Sequence, residues 1–201
     1  MSKQVYISAD YDPRNGDRDV VNEICKWCED PGRKLAFYDT ANPSCGSVSA
    51  DSDCRPCDLK KEFNSQINAS SAVIFVVGDK TAQRTAGSSC KRMGQQGICA
   101  CTPYKQNVNG TKWCKYSATC PATGPDIGNI NDYSYLEHEF RQAVQRNKNI
   151  VIVYNSLNYQ SSWLPSYMSG YADEAHPFWT KNSFGNRVGD YQYIKKALGY
   201  E

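Results

Sequence analysis

Apolar residues come in short runs along this chain, and their spacing switches between the period of a strand and that of a helix. Gln4 to Ala9 sets Val5, Ile7 and Ala9 against Tyr6 and Ser8, a first strand ending in the acidic turn Asp10-Tyr11-Asp12-Pro13. Val20, Val21, Ile24, Trp27 and Cys28 recur at helical spacing over Asp17 to Cys28. Lys34 to Tyr38 predicts a short second strand with Asp39-Thr40 just beyond it. Asp58 is a candidate N-cap for a helix over Leu59 to Asn68, with Leu59, Phe63 and Ile67 four apart. Ser71 to Gly78 is continuously apolar and β-branched, the composition of a central parallel strand covered on both faces. Tyr133 to Arg146 predicts a helix with Leu136, Phe140, Ala143 and Val144 on one stripe, and Asn149 to Tyr154 another apolar strand. Val188 to Leu198 predicts a closing helix stopped by Gly199.

Strands alternating with helices in this way predict an open, mostly parallel α/β sheet. Ligands of such sheets sit beyond the carboxyl ends of the strands. The positions to inspect are therefore Ser8 to Asp12, Asp39-Thr40, Asp79 to Thr81, and Asn155-Ser156. Two stretches break the rhythm. Residues 82–131 hold six glycines, three prolines and five cysteines without sustained periodicity. So long a structureless loop is improbable within a compact domain, so an inserted subdomain or lid is expected. Leu157 to Asn186 is also irregular, but Trp163, Tyr167, Tyr171, Phe178 and Trp179 predict that it packs down onto the body.

The 201 residues fit a single domain, 1–201, carrying that insertion. The near balance of 23 basic and 21 acidic side chains argues against nucleic acid held by bulk charge. The longest purely apolar run, Ala72 to Val77, has six residues, where a bilayer needs roughly 20. Met1, Ser2 and Lys3 lead into the strand with no apolar signal region, which predicts a cytoplasmic protein with no membrane attachment. Ten cysteines, at 25, 28, 45, 54, 57, 90, 99, 101, 114 and 120, are unusual there. Cys54-Arg55-Pro56-Cys57 could donate to a structural Zn²⁺ together with Cys99, Cys101, Cys114 or Cys120, but no second C-x-x-C lies at zinc-ribbon spacing. Unligated thiols, zinc and disulfides all stay open. Cys25 and Cys28, one helical turn apart, are expected to pack as small hydrophobes.

Two chemistries suit the polar strand ends. Asp10, Asp12, Asp39 and Asp79 could form an acidic rim, with Asp79 as a phosphoacceptor and Asp10 and Asp12 holding Mg²⁺, as in receiver domains. The lysine expected beyond a late strand is missing from Tyr154-Asn155-Ser156. The second centres on Tyr135-Leu136-Glu137-His138-Glu139-Phe140, where two carboxylates flank the apolar stripe on opposite sides. Periodicity does not choose between them.

The runs S-A-V-I-F-V-V-G-D-K-T and Y-L-E-H-E-F-R-Q-A-V-Q-R-N-K-N-I-V-I-V, with the opening V-Y-I-S-A-D-Y-D, resemble the TIR-like family, in particular the TIR proteins of Thoeris anti-phage defence. The shared pattern is an apolar strand ending in Gly-x-x-Thr, then an aromatic four residues before a glutamate on a helix that leads into the next strand. It spans residues 4–81 and 132–155; the cysteine-rich insertion and Tyr135, where a tryptophan is common, depart from it. The resemblance implies a flavodoxin-like (TIR) fold, with helices on both faces of the sheet and the insertion after the third strand. It also implies cleavage of the nicotinamide–ribose bond of NAD⁺, with Glu139 as the catalytic carboxylate. Ser8, Ala9, Asp10, Thr81 and Tyr135 would line the nucleotide pocket. The product would be an ADP-ribose-derived signal acting on a separate effector protein, and self-association is expected. A TIR module that only docks partners is the alternative from another class.

Overall fold

The computed structural model describes residues 4–10, 17–30, 32–33, 55–85, 105–106, 112–113 and 134–200. In chain order the elements are β1 (Val5–Ser8), α1 (Arg18–Glu29), α2 (Arg55–Ala69), β2 (Ala72–Val77), a 3₁₀ turn (Thr81–Gln83), β3 (Lys105–Gln106), β4 (Lys112–Trp113) and α3 (Tyr135–Gln145). There follow β5 (Asn149–Tyr154), two further 3₁₀ turns (Ser161–Trp163 and Ser166–Tyr171), β6 (His176–Pro177), β7 (Trp179–Lys181), β8 (Arg187–Gly189) and α4 (Tyr191–Ala197). β1, β2, β5 and β6 form one parallel sheet in that order. β3 with β4, and β7 with β8, make small antiparallel pairs.

Strand parity divides the core in two. Val5, Ile7, Ala72, Ile74, Val76, Val151 and Val153 point to one face, where α1 and α4 cover them with Val20, Val21, Ile24, Trp27, Ile194 and Leu198. Tyr6, Val73, Phe75, Val77, Ile152 and Tyr154 point to the other, beneath Ile67 of α2 and Leu136, Phe140 and Ala143 of α3. This is why β2, paired on both edges and buried at all six positions, shows no polar alternation.

α2 and α3 are locked side by side by two polar bridges, each one turn apart. His138 Nε2 lies 2.7 Å from Asn64 Oδ1, and Gln142 Nε2 donates to Asn68 Oδ1 at 2.9 Å. Lys148 then caps α2, its ammonium donating to the carbonyls of Asn68 and Ser70 at 2.9 and 2.5 Å. These contacts set the rotation of α3 about its own axis.

Two expected boundaries move. α2 begins at Arg55, so Asp58 lies in its first turns and is not its N-cap. The closing helix starts at Tyr191, because Val188 pairs with Thr180 across the β7–β8 hairpin and Asp190 supplies the cap, accepting from Tyr193 N at 2.9 Å. Leu157 to Asn186 does pack down: Met168, Phe178 and Trp179 are buried, and Phe178 stacks on Trp27 with ring centroids 5.6 Å apart. The strand expected over 34–38, Asp12, Asp39 and most of 82–131 lie outside the described residues. No helix among the described residues is long and apolar enough to cross a membrane.

β8 closes over α1 at Gly189. A Cβ there would stand 2.6 Å from the Trp27 ring and 3.0 Å from both Glu23 and Phe178. Gly170 faces open space. Gly189→Ala should therefore cost about 1–3 kcal/mol in urea unfolding, and Gly170→Ala should stay within about 0.5 kcal/mol of the parent. Equal effects at both positions would refute this packing.

Candidate active site

α3 starts at Ser134, whose hydroxyl accepts from Glu137 N at 2.9 Å, an N-cap that fixes where the first turn lies. With Leu136, Phe140 and Ala143 facing the sheet, the two glutamates part. Glu137 turns outward to a forked ion pair with Arg141, 2.8 and 3.0 Å away. Glu139 turns inward and is only 5% exposed.

Two hydroxyls from β1 meet the buried carboxylate. Tyr6 Oη donates to Oε1 at 2.8 Å, and Ser8 Oγ donates to Oε2. Tyr6 and Ser8 are two residues apart and so share a face of the strand, the face that α3 covers. Burial pushes the Glu139 carboxyl up from its ordinary 4.5 to about 7, with the Ser8 and then the Tyr6 hydroxyl pulling the other way. An acid held there exchanges its proton near neutrality.

Glu139 forms part of the wall of a cleft of about 300 Å³, at the small end of ligand-binding clefts. Ala9 and Asp10 come to it from the loop after β1, Thr81 from the turn after β2, and Tyr135 from the first turn of α3. Five of the six residues expected from sequence thus line one cavity. Ser8 does not. It is fully buried behind Glu139 and acts on the carboxylate instead. Tyr135 meets Phe63 of α2 edge to face, ring centroids 5.8 Å apart, which leaves an aromatic wall suited to a planar ring. Thr81 is buried, and its hydroxyl accepts from Gly78 N at 2.8 Å. That bond accounts for the Gly-x-x-Thr spacing: the threonine anchors the turn after β2.

Residues outside the expected set complete the described wall: Phe63, Arg84, Thr85, Ser134 and Leu136, with Tyr6 behind it. Tyr6 was detectable, since strand parity ties it to Ser8. Phe63 belonged to the apolar repeat of α2 and read as core alone. Arg84 and Thr85 fall in the aperiodic stretch, where no pattern marks them.

Of the acidic rim expected from the sequence, Asp10 and Asp79 fall among the described residues. Asp79 is exposed in a turn, and Asp10 forms an ion pair with Arg84. The buried acid is Asp17, whose carboxylate occupies the space that a side chain at Gly78 would need. Burial raises it from 3.8 to about 6; the Asn155 amide, donating at 2.9 Å, opposes this, and the charges of Asp10, Asp19 and Asp79 add to it. Asn155 in turn accepts from Trp179 Nε1 at 2.6 Å and from Arg187 at 3.1 Å, tying the β7–β8 hairpin to this rim. Among the described residues no group of three or more His, Cys, Asp or Glu side chains could hold a metal ion. Cys25 packs against the core and Cys28 is exposed, its thiol 3.6 Å from the Ile24 carbonyl. Cys57 lies in α2, and the other seven cysteines are outside the described residues.

Comparison of the chain with family models, with curated proteins and with solved structures finds no match in any of the three.

The buried acid has a measurable signature. Between pH 4.5 and about 7 the unfolded chain has released the Glu139 proton while the folded chain retains it, so stability falls as pH rises through that window. The loss is on the order of 3 kcal/mol, and stability levels off above it. Glu139→Gln removes this decline. Urea unfolding at pH 4.5 and pH 8 should show the variant gaining that amount over the parent at the higher pH. A constant difference between the two proteins would contradict the burial of this carboxyl.

Proposed function

We propose that this chain is a TIR-type enzyme with a flavodoxin-like fold that cleaves the nicotinamide–ribose bond of NAD⁺, with Glu139 as its catalytic carboxylate. The observation that carries this reading is the buried carboxylate itself: both oxygens are held by hydroxyls, and it faces a cleft that Ala9, Asp10, Thr81 and Tyr135 also line. The resemblance of the strand–Gly-x-x-Thr and aromatic-x-x-x-Glu runs to the TIR-like family supports it from the sequence.

Nicotinamide departs with the electron pair of its bond to the ribose anomeric carbon, becoming a neutral base, and leaves an oxocarbenium-like sugar. The ionised Glu139 carboxylate orients the ribose hydroxyls and stabilises the positive charge on the sugar as it develops. Tyr6 and Ser8 hold the carboxylate in place without touching the ribose. Little reorganisation is then left for the reaction step. Tyr135 and Phe63 offer the aromatic wall for the pyridinium ring. Water or an adenine nitrogen then attacks the anomeric carbon, giving linear or cyclic ADP-ribose. In the Thoeris-like setting such a product is a signal read by a separate effector protein, and self-association of the TIR domain assembles the active form.

Mass analysis of NAD⁺ products tests this directly. Wild-type protein should release nicotinamide, and Glu139→Gln should lower the rate by about 10²-fold or more with its fold intact. Turnover by the variant equal to wild type would refute the assignment of Glu139. No nicotinamide release at any protein concentration would favour the partner-docking module. Because the ionised form is the active one, kcat/KM should rise about tenfold per pH unit below about 7 and level off above it. A profile that falls with pH through this range would show that the protonated acid does the work.

A further inference from the structure

The bond-breaking step leaves two charged groups of the described cleft wall unused, Asp10 and Arg84. Arg84 follows the 3₁₀ turn after β2 and stands on the same wall as Thr81 and Thr85, the one cation among the described lining residues. Its guanidinium Nε lies 2.5 Å from Asp10 Oδ2, with the two side chains 36% and 18% exposed. Both partners have pinned backbones. The Asp10 carbonyl accepts from Asp17 N at 2.8 Å, and Arg84 N donates to the Thr81 carbonyl at 3.3 Å.

We propose that Arg84 is the subsite for the diphosphate of the ligand, and that Asp10 is an internal competitor that holds the guanidinium while the cleft is empty. The assignment of a dinucleotide rests on the reading of the cleft given above; the preference for a diphosphate rests on the cleft's own charges. With Glu139 ionised, the described lining residues carry two carboxylates against one guanidinium, so a phosphorylated ligand gains most by engaging Arg84. A partly solvated ion pair holds its members weakly. A diphosphate presents more negative charge than one carboxylate and fits the planar fork of the guanidinium in two-pronged fashion. The exchange of Asp10 for diphosphate is thus downhill. It also selects dinucleotides over nucleosides, since a nucleoside has nothing to draw Arg84 away.

The two partners should respond in opposite directions, which a purely structural ion pair would not do. Calorimetric titration of the whole chain with inorganic pyrophosphate, ADP-ribose and nicotinamide riboside separates the possibilities. Arg84→Gln should weaken pyrophosphate and ADP-ribose by about tenfold or more, with a smaller loss for nicotinamide riboside, and Arg84→Lys should fall between. Asp10→Asn should tighten pyrophosphate and ADP-ribose by about twofold to tenfold, because it removes the competitor. Equal losses for all three ligands in Arg84→Gln, a loss in Asp10→Asn that matches it, or no pyrophosphate binding by wild type would each overturn the proposal. NAD⁺ consumption by wild type is scored separately. An active enzyme indifferent to Arg84→Gln overturns only the diphosphate subsite, whereas Arg84-dependent pyrophosphate binding in a protein that never releases nicotinamide overturns only the glycosidic reading.

Discussion

The contact on which the rest depends is the grip of two β1 hydroxyls on the Glu139 carboxylate. A carboxylate taken out of water loses far more hydration than hydrophobic packing returns, unless donors replace the lost water. Tyr6 and Ser8 supply them from an element more than 130 residues away in sequence. The donors offset the loss only in part, so the acid stays out of its usual range and the proton is loosely committed. That incomplete compensation separates a site from a salt bridge. Glu137, two residues earlier, faces outward and pairs with Arg141.

The scaffold is arranged to hold that grip. The Asn64–His138 and Asn68–Gln142 bridges stop α3 from rolling, and the Ser134 cap stops it from sliding. On the opposite face, Trp27, Phe178 and Tyr191 form an aromatic plug between α1, β8 and α4, so the sheet is pressed from both sides. Gly78 stands against the buried Asp17. Its N–H anchors Thr81, and its missing side chain makes room for Asp17. One residue thus serves both the cleft wall and the buried acid beside it.

Much of this was legible along the chain, for physical reasons that differ from element to element. β2 and β5 announce themselves because a strand covered on both faces has no reason to alternate. The stripe of α3 predicts which side is buried, but leaves Glu137 and Glu139 symmetric about it; tertiary contacts alone break that symmetry. Val188 falls at the start of the expected closing helix, yet it pairs with Thr180 in a hairpin, a long-range partner that local spacing does not reveal. Arg84 gave no sign at all, since a cation in an aperiodic loop has no repeat to betray its direction. The cleft's apolar and hydroxyl-bearing walls were open to inference, and its charge balance was not.

The parity of β1 carries a consequence for how this chain tolerates change. Tyr6 and Ser8 face α3 while Val5 and Ile7 face α1, all within four residues of one short strand. A point substitution here perturbs one contact. A one-residue slip of this strand against β2 would turn it over, sending both hydroxyls into the aliphatic layer and two aliphatic side chains against the carboxylate. Register, more than composition, is what this strand has to keep.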